Sequence, residues 1–181
     1  MDFETKIFNI KRKSIKLQIL DTSGSERYRY LIGSYLSNCH GLILVYDIDD
    51  IESFKNIPQW ISFIEKNSST NILKVLVGNK CDLSYRRVSE EEGIKLAQDY
   101  GMRYFEASAK TGINIQEIFN FFPFKILNLE NEKSPIKNEN KGFVNLFHNL
   151  INKKKIYNNQ KENPSGYKND IYNEELNRLK I

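Results

Sequence analysis

A chain of 181 residues has room for one domain and an appendage. Its 40% hydrophobic and 28% charged residues give a globular composition, and most of the +4 net charge lies late: residues 130–181 hold 10 Lys/Arg against 7 Asp/Glu, residues 1–129 hold 17 against 16. A compact part so close to neutrality excludes a nucleic-acid binder that works by charge, and no apolar run approaches a membrane span.

No signal peptide opens the chain, and Cys39 and Cys81 stand far apart outside any CxxC spacing. They read as small, partly buried, reduced residues in a cytoplasmic protein.

In chain order, "TKIFNI" (5–10) and "SIKLQIL" (14–20) predict two strands joined through "KRK" as an antiparallel hairpin. Gly41–Ile48 and Ile72–Asn79 are near-continuous apolar runs, expected of strands buried on both faces. Arg103–Ser108 is a more polar third candidate. Between them, Ile51–Glu65 sets Phe54, Ile57, Trp60, Ile61 and Ile64 at helical spacing, Ser89–Tyr100 opens with a capping box (Ser89, Glu92), and Ile113–Leu129 predicts a further helix. Strands alternating with helices imply βαβ units, hence an α/β domain over 1–129 with a mostly parallel open sheet.

From residue 130 to 181 Asn, Lys, Glu, Ser, Pro and Tyr dominate, and we expect a polar, largely disordered tail. One part resists that description. Phe143, Leu146, Phe147, Leu150 and Ile151 recur along one helical face, so an amphipathic helix is expected over 142–155, ending in Lys153–Lys155. It would dock on the domain, bind a partner's groove, rest on an anionic membrane or form nothing stable; three lysines contribute only about 3 kcal/mol to membrane contact.

Parallel open sheets bind ligands beyond the carboxyl ends of their strands. Three loops fall there: "DTSG" after Leu20, "GNKCD" after Val77 and "SAKTG" after Glu106. Each alone is an ordinary turn; together, in this order, they are specific.

On "MDFETK", "KLQILDTSGSERYR", "SYLSNCHGLILVYDI", "VLVGNKCDL" and "EASAKTGINI", residues 1 to about 129 resemble a Ras-superfamily small GTPase of the Rab branch. The resemblance implies a P-loop small-GTPase (Ras-like) fold with helices on both faces of the sheet, and GTP/GDP and Mg2+ as cofactors. It also implies a switch role in vesicle trafficking, with effectors and regulators as partners. In the implied site the Asp82 carboxylate accepts from the guanine N1–H and 2-amino group, a bidentate contact adenine lacks. Asn79 bonds the base and ties loops together, and Lys80 lays its stem along the ring. The Ala109 N–H donates to the 6-oxo group, while Ser108 and Lys110 support and cover the base. Asp21 reaches the magnesium through water, and the Gly24 N–H meets the γ-phosphate.

Departures from the family's pattern matter as much. None of the nine glycines is followed by lysine, so G-x-x-x-x-G-K-[ST] is absent and "MDF" aligns just after the first switch. The fold is therefore expected to be incomplete, its first strand missing between those matching "SIKLQIL" and "GLILVYDI". That leaves two inner edges unpaired. The strands would close up, another segment or chain would fill the gap, or the natural protein is longer at its N-terminus, which we favour. Magnesium and triphosphate are expected to bind weakly. Ser25 stands where the family has a water-orienting Gln, so hydrolysis is expected to be slow or absent. Leu20 replaces a Trp of the effector-reading surface. "ELNRLKI" carries no cysteine for a prenyl anchor, leaving at most peripheral contact with endomembranes. Two functions follow: a GTPase lacking its upstream half here, or a pseudo-GTPase that binds partners through its second-switch face or tail helix.

Overall fold

The computed structural model describes residues 2–10, 13–24, 29–68, 72–133 and 142–150. The hairpin forms as expected: β1 (Asp2–Ile10) lies antiparallel to β2 (Lys13–Ser23), in a register running from Asp2–Asp21 to Ile10–Lys13. Next come α1 (Arg29–Leu36), β3 (Gly41–Asp47), α2 (Ile51–Lys55), α3 (Ile57–Asn67) and β4 (Leu73–Asn79). After these follow α4 (Glu90–Asp99), β5 (Arg103–Ala107), α5 (Ile115–Lys133) and β6 (Gly142–Leu150). The sheet order is β1-β2-β6-β3-β4-β5, parallel at every pair except the hairpin.

The near-continuous apolar strands divide their side chains between two cores. Leu42, Leu44, Tyr46 and Leu76 join Ile32 and Leu36 of α1, Ile57, Trp60, Ile61 and Ile64 of α3 and Ala97 of α4. On the opposite face Ile43, Val45, Val75, Val77 and the hairpin's Ile15, Leu17 and Ile19 meet Ile118, Phe122 and Ile126 of α5. Period-2 alternation with both faces buried accounts for strands without a polar side.

Four expectations are corrected. First, the apolar segment read as an amphipathic helix over 142–155 is a strand across Gly142–Leu150; residues 151–155 lie outside the described residues. Its spacing suits a helix, but two strands with open inner edges offer backbone partners on both sides, and tertiary context overrides so weak a periodic signal. The strand joins the domain's own sheet rather than a separate tail, and α5 runs to Lys133, past the expected boundary at 129.

Second, the expected helix Ile51–Glu65 is two helices broken at Asn56. Pro58 has no N–H to give the preceding turn, so α3 must start afresh there. Asp50 caps α2 by accepting from the Glu52 and Ser53 N–H groups. Third, α1 was not anticipated. Only Ile32 and Leu36, four residues apart, are buried in it, while Tyr30 and Tyr35 are exposed, so its apolar stripe is too thin to read. Fourth, β2 continues to Ser23, which sets Asp21 within the strand rather than after it.

The capping box of α4 forms as expected: the Glu92 N–H donates to Ser89 Oγ at 3.2 Å and the Ser89 N–H to Glu92 Oε2 at 2.8 Å. Cys39 is buried, its thiol donating to the Gly41 carbonyl at 2.7 Å. Burial raises the Cys81 thiol pKa, and neither cysteine is held in a disulfide. Among the described residues no helix is long and apolar enough to cross a membrane.

Candidate functional site

Because β3, β4 and β5 run parallel, their carboxyl ends lie on one edge of the sheet, and three loops meet there. Asn79 closes β4 with only 7% of its surface exposed. Its Oδ1 accepts from the Ala109 N–H at 3.2 Å, which fastens the loop after β5 to the end of β4. A backbone bond from the Cys81 N–H to the Ala107 carbonyl, 3.0 Å, reinforces that tie. The Asn79 carbonyl in turn accepts from the Ile48 N–H at 3.1 Å and so reaches the end of β3.

Lys80 has φ 69, a left-handed conformation uncommon for a side-chain-bearing residue. The turn it makes is closed by the Leu83 N–H donating to the Lys80 carbonyl at 3.0 Å. Its ammonium pairs with Asp47 Oδ2 at 2.7 Å. The other Asp47 oxygen accepts from the Asp49 N–H at 2.9 Å. Asp47 was not among the expected site residues; an acidic residue ending the apolar run "LILVYD" is the signal for it.

Asp82 follows in the same turn, partly exposed. Its Oδ1 accepts from Ser108 Oγ at 2.5 Å, and among the described residues no group donates to its Oδ2. Ser108 is fully buried and works in three directions: Oγ also accepts from the Thr111 N–H at 3.1 Å, and its carbonyl accepts from the Gly112 N–H at 2.8 Å. Gly112, at φ 82, supplies the left-handed turn that bends the loop back on itself. Asn114, at φ 59, ties the loop's far end to the Glu106 carbonyl through its side-chain N–H at 2.7 Å. Lys110 stands exposed on the loop's rim.

The geometry thus joins the loops carrying Asn79, Lys80, Asp82, Ser108 and Ala109 through hydrogen bonds, with Lys110 on the rim. The Ala109 N–H expected for a ligand oxygen is held here by Asn79, so a ligand at that position shares it or takes it over.

Asp21 sits on the same side of the sheet at the end of β2, 2% exposed, with Thr22 fully buried beside it. In register it lies across from His148 of β6 and Asp2 of β1. Gly24 follows the strand, half-buried, and Ser25 lies outside the described residues. Among the described residues no three acidic, His or Cys side chains group closely enough to hold a metal. Asp21 therefore stands, among the described residues, as a single buried carboxylate rather than as one member of a metal-binding cluster. Leu20 is half-buried and packs against the core that includes α1, α3 and α4.

Comparisons with known proteins place the chain in one family. A family model described as the Ras family matches residues 1–128. The "Ras-related protein Rab-13" of Bos taurus is 42% identical over 142 residues, which is 78% of this chain and 70% of that protein. The "Ras-related protein Rab-8B" of Bos taurus is 45% identical over 120 residues, 66% of this chain and 58% of its own length. The "GTP-binding protein ypt2" of Schizosaccharomyces pombe is 43% identical over 120 residues, covering 66% and 60%. The chain spans about three fifths of the length of the latter two relatives. With two thirds of its residues matched to one family and its strand-end loops joined into one cluster, the chain belongs to the Ras family of small GTPases and is Rab-like.

Proposed function

We propose that the chain binds guanine nucleotides and acts as a Rab-type GTP/GDP switch in vesicle trafficking, in the cytoplasm and at the periphery of endomembranes. The observation that carries this is the Asp82–Ser108 pair. One carboxylate oxygen is fixed by a buried serine, which orients the other toward an incoming donor. A carboxylate so held suits two adjacent N–H donors, the edge that separates guanine from adenine. Asn79 and Ala109 would meet the base's acceptors, Lys80 and Lys110 would flank its ring, and Asp21 would hold magnesium through water. A relative bearing the printed name "GTP-binding protein" supports the same assignment.

A second function is kept because a specific residue favours it. Ser25 takes the place of a water-orienting Gln. That suits a non-catalytic protein that binds trafficking partners.

The test is equilibrium binding of fluorescent GDP and ADP in magnesium, on the wild type and on Asp82→Ala, with phosphate release from GTP followed separately. Binding of GDP but not ADP, lost in Asp82→Ala, is expected. Equal binding of both nucleotides, or of neither, removes the guanine assignment and leaves the interaction protein. Phosphate release then decides whether a bound nucleotide is turned over.

A further inference from the structure

The chain leaves β2 for α1 and then β3, yet β2 and β3 are not neighbours in the sheet. A slot one strand wide separates them, and β6 occupies it from the far end of the sequence. Leu146 pairs with Ile19 on one side and Gly41 on the other, Phe147 with Leu20 and Leu42, and His148 with Asp21 and Ile43. Asn149 lies between Thr22 and Leu44, and Leu150 between Ser23 and Val45. Among the described residues all strand pairing between the hairpin and β3–β5 passes through this segment.

We propose that Gly142–Leu150 is a built-in strand donor, which fills in cis a slot open to a parallel, mainly apolar strand and so joins the hairpin to the β3–β5 half of the sheet. The slot's walls dictate that chemistry. Leu17, Ile19, Leu42, Ile43, Leu44 and Val45 are all 5% exposed or less, and both walls are buried on the faces they share with the cores. An occupant must be extended, must donate and accept along both edges, and must carry few charges. "GFVNLFHNL" meets those terms: five apolar residues, no charged side chain other than a titratable His, and no proline. Any other strand of that chemistry, from a second copy or from sequence joined ahead of Met1, would compete for the same place. The proposal is independent of nucleotide binding and is tested without nucleotide, so either can fail alone.

Hydrogen exchange followed by mass spectrometry on the full chain is the first measurement. Amides in 143–150 should exchange at least about a hundredfold slower than in an unstructured peptide, together with those of β2 and β3, since a central strand opens only with the units it joins. Exchange of 143–150 at the unstructured rate while β3 and β4 stay protected overturns the proposal. Leu146→Pro should release 142–150 and raise exchange in β2 and β3 by at least about tenfold, leaving β4, β5 and α4 as they were. Unchanged β2 and β3 in that variant overturn it equally.

Should Leu146→Pro fail to fold, a second measurement still decides. In a chain with Cys39→Ala and Cys81→Ala, cysteines placed at the register partners Ile19 and Leu146 are bridged with a short bifunctional thiol-alkylating reagent, each thiolate displacing one leaving group. A bridge within one chain is expected. A bridge between two chains, or none, overturns filling in cis.

Discussion

Tyr46 of β3 and Tyr104 of β5 meet hydroxyl to hydroxyl at 2.9 Å across β4. Tyr104 Oη lies 3.1 Å from Glu106 Oε1, and Glu106 in turn takes both arms of the Arg86 guanidinium, at 2.7 and 3.0 Å. A chain of hydrogen bonds thus runs from the sheet's interior to the loop that leads into α4.

Burial keeps these phenols neutral, with the Tyr46 pKa pushed up to about 12 and that of Tyr104 raised as well. The sign follows from linkage. An acid whose pKa is higher folded than unfolded holds its proton longer in the native state, so its contribution is complete below the unfolded value near 10 and fades as pH rises toward the folded one. Stability should therefore be flat to about pH 9.5 and fall above it. Denaturant unfolding between pH 8 and 11.5, with absorbance at 295 nm to count phenolates, checks this. Tyr46→Phe and Tyr104→Phe should flatten the alkaline fall; an unchanged slope in both would rule the pair out as its source.

The same pair fixes two glycines. A Cβ on Gly93 of α4 would lie 2.5 Å from both phenolic oxygens, and one on Gly78 of β4 would lie 2.9 Å from that of Tyr46. Alanine normally strengthens a helix by up to about 1 kcal/mol over glycine. At Gly93 the overlap should reverse that, and we expect Gly93→Ala to destabilise by about 1–3 kcal/mol. A midpoint shift upward in urea would show that the tyrosines move aside freely.

Arg86 and Glu106 should matter more than the surface pairs. Glu106 is 14% exposed and doubly bonded, whereas Lys55 and Glu52 are 62% and 67% exposed and one helical turn apart. Arg86→Ala leaves a half-buried carboxylate and should cost about 1.5–3 kcal/mol. Lys55→Ala should cost no more than about 0.5 kcal/mol. Chemical unfolding at low and high salt separates them, because the exposed pair alone should vanish into screening.

Asn79→Ala removes the acceptor for the Ala109 N–H and frees the loop after β5. We expect a loss of about 1 kcal/mol in global stability, with the amides of Ala109 and Thr111 exchanging faster. A global loss with unaltered exchange in that loop would place the role of Asn79 in β4 rather than in the cluster.

Much of this fold can be read from local pattern. Both strands of the hairpin, β3, β4, β5 and the capped α4 announce themselves, because alternation, apolar runs and a Ser–x–x–Glu box are signals carried within a dozen residues. The meeting of the loops that carry Asn79, Asp82 and Ser108 is legible for the same reason, since each loop follows a strand-like run. What escapes is what depends on distant partners. Residues 142–150 fit a helix when considered alone and become a strand only because β2 and β3 stand apart with their edges open. The thin stripe of α1 gains meaning from α3, where Arg29 lies over the Trp60 ring at 4.8 Å. The pairing of the Lys80 ammonium with the Asp47 carboxylate depends in the same way on a neighbour supplied by a different strand.

The place of β6 also sets an order of events during synthesis. Gly142 must find Ile15 and Leu146 must find Gly41, so the middle of the sheet is the last part of it to leave the ribosome. Until then β2 and β3 wait without the β6 segment that pairs with both of them, the kind of exposed edge that recruits other chains. Contacts of such long sequence separation close slowly. The nascent chain therefore carries its greatest hazard of misassociation after most of its core residues have been made, and a ribosome stalled shortly before residue 142 would display that hazard at full strength.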